Sequence, residues 1–550
     1  MSSTPTPSMA GHVSATDTPT LASPKLKEKE LASERVSSVD ERIVVEWEEG
    51  EAENPMNWSR LKRWYITILS SALVFNATLA SSAPIGIVPT LAAQYHMSHT
   101  LGVLTISLFV AGFAVGPLLW APLSEQYGRK PVFIGTFVIY ILTQVGSALS
   151  RNTASILVFR MLGGIFAAAP VTNSGGVVGD IWDAGTRGKA MAFFTIAPFA
   201  GPALGPTISG YLTVAHVPWR WLFWILTLSG GVCLALIVFT LPETYKPVLL
   251  RQKAKRLNNA REDTRYIAPI DLVHMSIGER TKQVLLKPFI ILFSEPMLIA
   301  ITAYMSFIYG CVYLLIQAYP TVFTKGHNLN PGASGLILLN LPVGSSLAVI
   351  AYMQLGNPRY MKAIAKHAPH PVPPEARLEL AVIAAPLFAI SFFWFGWTSY
   401  PHISFVAPLI SGVASGFAIC LLFLALFNYV VDAYLPVAAS ALASMTVVRS
   451  LAGAGFPLFA TQMYEKLNPR WASTLIGLLA AVMAPIPLIL IKFGPRLRKN
   501  SKYNPSAATP KEPTPEEEDK PSQITYDRES LGRASIPSLA SPPVAKLPPV

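Results

Sequence analysis

Charged residues are scarce in this chain, and long stretches lack them almost entirely. Only 13% of its 550 residues are Asp, Glu, Lys or Arg, while 51% are hydrophobic. Soluble domains carry roughly 25% charged residues. The composition therefore predicts an integral membrane protein with many apolar helices. Loop cations near anionic lipid explain the net charge of +12 without any nucleic-acid partner.

Several kinds of site are excluded by what is missing. The three cysteines, Cys233, Cys311 and Cys420, lie far apart in apolar runs, without the spacing of a disulfide framework or a metal site. The nine histidines form no zinc-binding pattern, and the chain has no Gly-x-x-x-x-Gly-Lys-Ser/Thr loop for ATP. We therefore expect no enzyme activity, no metal and no other cofactor. Residues 1–60 contain no apolar signal segment, so the first span should serve as the insertion signal.

Twelve apolar runs are long enough to cross a bilayer, which takes about 20 residues. They lie near 64–89, 101–123, 131–149, 156–179, 189–213, 221–241, 296–322, 333–355, 380–397, 403–430, 436–461 and 472–493. The predicted fold is an all-α membrane protein with two six-helix halves, 61–241 and 296–493, joined by a polar loop, 242–295. The polar ends, 1–60 and 494–550, are predicted to be disordered tails.

Positive charge is divided unequally between the loops. Those on the side of Gly128 carry 18 Lys or Arg, whereas the opposite loops carry five. This asymmetry predicts that both termini and the central loop are cytoplasmic. In that loop, apolar residues of 271–293 interleave with Arg280, Lys282 and Lys287, which predicts an amphipathic helix along the membrane surface. Two halves around a central cavity are typical of a secondary transporter with substrate near the midplane.

Acidic residues are absent from the middle of every apolar run. The acids nearest to the runs lie at the predicted cytoplasmic ends, as Glu125, Asp180, Glu295 and Asp432. Because a polycation requires buried carboxylates, a neutral or anionic substrate fits better. The same absence leaves the proton-carrying residue open, with Asp180 or Glu125 as candidates.

Two arginines do lie inside apolar runs. Arg160 is more than one turn inside the fourth run, and Arg449 is about 13 residues into the eleventh. A guanidinium in lipid is costly, so each should meet a cavity or a protein partner, and Arg449 a carboxylate, a carbonyl cluster or an anionic substrate. Two alternatives stay open: Arg160 could extend to the outer interface, and Arg449 could brace its helix against neighbours.

The seventh run offers a candidate cavity wall. One of its helical faces carries four polar or aromatic residues, Ser306, Tyr309, Tyr313 and Gln317. Asn76 and Asn428 could contribute from the first and tenth runs. Such a wall suits a partly aromatic or polar organic molecule, and a packing face between helices is the alternative.

The loop between the second and third runs, Ala121-Pro-Leu-Ser-Glu-Gln-Tyr-Gly-Arg-Lys130, resembles a signature of the major facilitator superfamily. The usual form is Gly-x-x-x-Asp-Arg-x-Gly-Arg-Lys, and this chain keeps Gly128, Arg129 and Lys130. Its departures at Ala121, Glu125 and Gln126 resemble the fungal twelve-span drug:proton antiporter group. The resemblance implies a charge-relay latch that steadies the outward-facing state, with Glu125 as the acid and Arg129 as a partner. A charged topological anchor is the alternative.

Two further stretches carry the resemblance. The segment from Arg160 through Asn173 to Asp180 is similar to the family's fourth span, whose arginine is implicated in proton coupling. Ala197-Pro-Phe-Ala-Gly-Pro-Ala-Leu-Gly-Pro206 is similar to the antiporter signature Gly-x-x-x-Gly-Pro-x-x-Gly-Gly, which marks exporters. Gly201, Pro202 and Gly205 match it, and Ala197 and Pro206 replace two glycines. A generic packing face of small residues is the alternative.

Taken over residues 54–495, the resemblance implies a proton-coupled exporter of a small organic compound. The candidate cargoes are a secondary metabolite, an organic acid such as a dicarboxylate, or a drug. The implied partners are that substrate, protons and membrane lipid, around a monomer in the plasma membrane, with the vacuolar membrane as an alternative. The rival interpretations are a polyamine exporter, a nutrient importer and a membrane protein that does not transport.

Overall fold

The computed structural model describes residues 43–48, 50–261, 265–272, 277–367, 372–499, 501 and 503. The first half is built from long helices with short connections. In chain order these are α1 Arg60–Ser82, α2 Val88–Gln94, α3 His99–Tyr127, α4 Arg129–Ala148, α5 Thr153–Ile181, α6 Ala184–Phe194, α7 Ala197–Val214 and α8 Arg220–Thr240. The side chains of Ser59, Ser98 and Asn152 cap α1, α3 and α5 by accepting hydrogen bonds from backbone N–H groups that the helices leave unpaired.

The central segment and the second half follow the same pattern. Their helices are α9 Lys246–Arg261, α10 Ile277–Ser294, α11 Pro296–Tyr319, α12 Pro331–Ile337, α13 Asn340–Ala351, α14 Asn357–His367, α15 Glu379–Thr398, α16 Val406–Ala433, α17 Ala438–Met483 and α18 Ile486–Lys499. Short 3-10 or π turns extend or join several helices. These turns are Pro55–Asn57, Ala83–Ile87, Pro269–Asp271, Pro320–Gly326, Tyr352–Gly356, Pro374–Leu378 and Leu435–Val437.

Eleven helical stretches in the described residues are long and apolar enough to cross a bilayer. The last, Ala438–Lys499, has 62 residues, which as one straight helix would extend about 93 Å. Asn468 interrupts it with φ 61°, and the Tyr464 hydroxyl lies 2.9 Å from Ser473 Oγ. Residues nine apart in a straight helix are separated by about 13 Å along the axis, so the chain must reverse at Asn468. This stretch therefore supplies the last two of the predicted runs.

Prolines explain where several spans break. A gap separates α6 from α7 just before Pro198, since a proline lacks the N–H that would continue the helix. Pro84 ends α1 in the same way, two residues after Ser82, and a 3-10 turn follows. The break at Pro84 leaves backbone carbonyls of α1 available, which becomes important for Arg160.

The polar segments contain more structure than the sequence indicated. The predicted tail 1–60 is ordered over 43–48 and 50–60, where β1 Ile43–Val44 pairs in parallel with β2 Tyr266–Ile267. Val45 and Trp47 of this segment pack with apolar residues of α9. At the other end, α18 continues beyond 493 to Lys499. Residues 1–42 and 504–550, also predicted to be disordered, lie outside the described residues.

The predicted surface helix, 271–293, overlaps α10 from residue 277 onward. Its placement along the membrane surface stays a prediction, and the side chains of Arg280 and Lys282 lie outside the described residues. The helix α9 and the strand β2, which precede it, were not predicted.

Candidate functional site

A network of polar side chains joins three helix ends of the first half. We call the end of the bundle that contains this network the inner end, and the opposite end the outer end. The loop charges predict that the inner end is cytoplasmic. Gly128 connects α3 to α4 with φ 104°, a conformation that side chains disfavour. The N–H groups of Arg129 and Lys130 then donate to Glu243 Oε1 and Oε2, at 2.9 and 3.1 Å. The Glu243 carboxylate thus caps the positive end of α4.

The Arg129 side chain turns back beneath α3 and is almost fully buried. Its Nη1 donates to Ser124 Oγ at 2.6 Å, and its Nε lies 3.4 Å from Asp180 Oδ2. Its guanidinium stacks 4.9 Å from the centre of the Tyr245 ring, and burial raises the pKa of Tyr245. We call Arg129, Asp180, Glu243 and Tyr245 the inner latch.

One predicted site residue takes a different position from that expected. Glu125, expected as the acid that pairs with Arg129, is exposed at the end of α3, and Asp180 and Glu243 occupy that role instead. The reason is the turn at Gly128, which sends Arg129 toward α5. Asn173 contacts the latch, because its Oδ1 accepts from Ser124 Oγ at 3.0 Å and from Arg129 Nη1 at 3.4 Å. Lys130 reaches the Val238 carbonyl at 3.0 Å.

The second half repeats the pairing of an arginine with an aspartate at a helix end. Arg377 Nε donates to Asp432 Oδ2 at 2.8 Å, and its guanidinium lies 3.4 Å from the centre of the Tyr360 ring. Asn428 lines a small pocket beside Arg377 and Tyr360. The structure therefore places Asn428 near this second pair.

Arg160 is fully buried and bound to backbone carbonyls. Its Nε donates to Thr105 O at 2.6 Å, and its Nη2 donates to Ala80 O at 2.8 Å and Ser81 O at 3.2 Å. The carbonyl of Ala80 is free because the residue four positions on, Pro84, has no N–H. Arg160 thus connects α5 to α1 and α3, and it does not extend to the outer interface.

Arg449 has a different environment. Its guanidinium lies 4.8 Å from the centre of the Tyr309 ring, 5.5 Å from Phe423 and 5.4 Å from Phe427, and its Nε is buried. Among the described residues, none accepts a hydrogen bond from it. Cation–π contacts use the flat faces of the guanidinium and leave its N–H edges for an acceptor. We call Arg449 and these three rings the aromatic box.

The box lies between the two halves of the chain. Its Tyr309 packs edge-to-face on Tyr313, whose hydroxyl is 2.9 Å from Ser81 Oγ of α1. Phe199 of α7 packs on Phe423 in the same way. The box is therefore made by α11, α16 and α17 of the second half. Helix α7 of the first half packs on it directly, and α1 reaches it through Tyr313.

Three other predicted polar residues do not belong to the box: Ser306, Gln317 and Asn76. On α11, Ser306 Oγ and Gln317 Nε2 are buried and have no partner among the described residues. Asn76 instead joins α1 to α8 through a 2.8 Å hydrogen bond from its Nδ2 to Ser229 Oγ. On the predicted face of the seventh run, Tyr309 thus belongs to the aromatic box and Tyr313 contacts α1. Ser306 and Gln317 are buried on the same helix.

The stretch around Pro202 is a close contact between helices. A side chain at Gly201 would overlap Thr78 and approach Leu79 N to 2.7 Å, and one at Gly205 would meet Ala83 N at the same distance. These glycines let α7 lie directly against α1. In this conformation Gly201, Pro202 and Gly205 form a packing face. Their role in gating stays a prediction.

Some residues of the site were not predicted. Glu243 and Tyr245 were not singled out, and an acid directly after an apolar run was the available signal. Phe423 and Phe427 were not singled out, since aromatic residues in an apolar run give no signal of what they face.

Comparison with known proteins identifies the family. A sequence profile of the Major Facilitator Superfamily matches residues 70–457. The multidrug transporter mdrA of Aspergillus fumigatus is 40% identical over 84% of this chain and 75% of its own length. The efflux pump MFS2 of Trichophyton rubrum is also 40% identical, over 84% of this chain and 77% of its own. A transporter of the citrinin biosynthesis cluster of Monascus ruber is 37% identical, over 86% and 95%.

Solved structures agree on the fold. The xylose transporter XylE of E. coli, in a partially occluded inward-open conformation, matches with a TM-score of 0.56 at 17% identity. The match covers 79% of this chain and 98% of the XylE chain. The chain is therefore a multi-pass membrane transporter, not an enzyme, and it belongs to the major facilitator superfamily.

Proposed function

We propose that this transporter exports a small organic compound that carries an anionic or a polar, partly aromatic group. The observation that carries the proposal is the aromatic box, in which Arg449 lies between the two halves without a hydrogen-bond acceptor among the described residues. An arginine edge of this kind matches a carboxylate in geometry and charge. The three rings supply an apolar surface for the rest of the cargo.

Export is supported by the relatives and by one motif. Relatives at 36–40% identity are named as a multidrug transporter and efflux pumps. Gly201, Pro202 and Gly205 match the family signature that marks exporters. The plasma membrane is the proposed location, with the vacuolar membrane as the alternative.

A polyamine exporter is the principal rival. Its cargo would carry several positive charges, and the apolar runs contain no carboxylate near their middle to receive them. Arg449 would repel such a cargo at the level of the box. A nutrient importer fits less well, because the xylose transporters share only the fold at 15–17% identity.

Proton coupling is proposed at the inner latch. Asp180 is the acid that lies against Arg129, and Thr244 Oγ1 approaches the same carboxylate oxygen at 3.4 Å. Protonation of Asp180 would remove its attraction for Arg129 and loosen the contact between α4 and α5.

The test is counterflow in proteoliposomes made with the purified protein. We expect exchange of aromatic or aliphatic organic acids, and no exchange of spermidine. Arg449→Gln should raise the half-saturation concentration for an acidic cargo by about tenfold to a hundredfold, since a charge-assisted bond is lost. A neutral analogue of the same cargo should be affected far less.

Arg470→Gln is the matched control. Arg470 also stacks on a ring, 3.7 Å from Trp397, but it lies beside the reversal at Asn468, away from the box. Transport of spermidine together with failure to move organic acids and neutral metabolites would overturn the proposal. Equal effects of the two substitutions would show that Arg449 does not contact cargo.

A further inference from the structure

An acidic segment before the first span is docked on the central helix α9. We call residues 43–48 and 50–53 the strap. It precedes residues 70–457, which match the family profile, so the profile assigns it no role. Its described acids are Glu46, Glu48, Glu51 and Glu53. Three independent sets of contacts hold the strap in place.

The first set is backbone pairing. Ile43 N donates to Arg265 O at 2.8 Å, and Val45 N donates to Ile267 O at 2.9 Å, so the strap adds a strand to β2. The side chain of Asn258 on α9 accepts from Tyr266 N at 3.0 Å and donates to Tyr266 O at 2.8 Å. The strap and β2 are therefore tied together, and β2 is tied to α9.

The second set is apolar. Val45, Leu250, Ala254 and Ala268 are each at most 5% exposed, and together they form a small core separate from that of the helical bundle. Trp47 covers the same core from the strap. Burial of these groups gives the docked segment a hydrophobic contribution that does not depend on charge.

The third set is electrostatic. The helix α9 contains Lys and Arg but no Asp or Glu. Glu51 Oε2 lies 2.7 Å from Lys253 Nζ, and both side chains are at most 20% exposed. Glu53 forms a two-pronged pair with Arg256, at 2.6 and 2.8 Å, and this hydrogen bonding lowers the pKa of the Glu53 carboxyl. The acids of the strap thus match the cations of α9.

The helix α9 is connected directly to the inner latch. It begins at Lys246, and the Tyr245 carbonyl accepts hydrogen bonds from the N–H groups of Val248 and Leu249, both at 3.1 Å. The same Tyr245 stacks on Arg129, and Glu243, two residues earlier, caps α4. Because Tyr245 takes part in the first turn of α9 and lies two residues after Glu243, we expect the position of α9 to affect that of Glu243.

We propose that the strap is an intramolecular clamp that regulates the latch. Docked on α9, it holds Glu243 and Tyr245 beneath Arg129 and stabilises the closed latch. Released, it lets α9 move and weakens the capping of α4. The recognition is that of an acidic peptide added to a strand edge beside a basic helix.

The test compares two double variants of the full-length protein in lipid nanodiscs by amide hydrogen exchange. Glu51→Gln with Glu53→Gln removes both ion pairs of the strap. We expect exchange to become about tenfold faster in residues 246–261 and at the amides of Arg129 and Lys130, because two ion pairs together contribute about this factor. The amides of α13, which are far from the strap in sequence, should not change.

Glu46→Gln with Glu48→Gln is the matched control. It removes the same charge from the same segment, but neither carboxylate has a partner among the described residues. Exchange of Glu51 and Lys253 for each other, as Glu51→Lys with Lys253→Glu, should restore slow exchange at the latch amides.

Two results would overturn the proposal. If exchange in 246–261 stays slow in the Glu51/Glu53 variant, the strap does not hold α9. If α9 exchanges faster while the amides of Arg129 and Lys130 do not, the strap is only a local fold and does not act on the latch. Both results are independent of cargo, so they leave the proposed export function untouched.

Discussion

Arg160 shows how backbone carbonyls can take the place of an acid beside a buried arginine. The sequence indicated that an arginine inside the fourth run needs a partner, and the break at Pro84 provides one in the Ala80 carbonyl. That pairing could not be predicted, because it depends on which carbonyl faces the side chain after α1 and α5 pack. The same limit applies to Asp180, which was named as a candidate while its contact with Arg129 was not.

Replacement of Arg160 should reduce stability even without a substrate or a proton gradient. Arg160→Gln leaves carbonyls of α1 and α3 without their donor, at a cost of about 2–4 kcal/mol. Thermal unfolding in detergent should show a lower midpoint. Arg151→Gln, an exposed arginine just before α5, should leave the midpoint unchanged. A stable Arg160→Gln protein that has lost only proton coupling would contradict the bracing role.

At the scale of elements, the alternation of apolar runs and polar loops was sufficient to predict where most long helices lie. It did not predict how a helix breaks within a run, as at the gap between α6 and α7. It also missed the strap, since Val45 and Trp47 become a core only when α9 is beside them. Short apolar segments of this kind depend on partners distant in sequence.

The contact of α7 with α1 gives a test at this scale. Gly201→Ala places a methyl group against Thr78 and the backbone of Leu79, and we expect about 1–3 kcal/mol of destabilisation. Gly231→Ala in α8 is the control, because a methyl group there meets nothing within 4 Å. Since alanine favours helix, the control should be neutral or slightly more stable. Equal unfolding midpoints for the two variants would contradict close packing at Gly201.

At the scale of the whole molecule, two pairs of helices join the two halves at the outer end. Gly335 on α12 meets the backbone of Pro206 and Thr207 on α7. On the other side, Gln462 Nε2 donates to Thr100 Oγ1 at 3.0 Å, which joins α17 to α3. These contacts join the two halves at this end, and we expect alternating access to require that they open.

A covalent connection across the halves should stop transport. Thr100→Cys with Gln462→Cys, joined by a short thiol-specific crosslinker, should abolish counterflow, and cleavage of the crosslink should restore it. Lys325→Cys with Glu465→Cys is the control, since this 2.7 Å ion pair joins two elements of the same half. The native cysteines Cys233, Cys311 and Cys420 are buried and should react little. Undiminished transport after complete crosslinking of the first pair would show that the outer contacts do not open.

The dependence of Arg160 on Pro84 has an evolutionary consequence. A residue with an N–H at position 84 would offer the Ala80 carbonyl a donor within its own helix, and the arginine would lose an acceptor that it needs. Conversely, loss of the arginine would leave the Ala80 carbonyl without a donor, because Pro84 has no N–H to offer it. Each residue thus makes the other difficult to replace alone, and the two positions should be inherited or lost as a pair across related transporters.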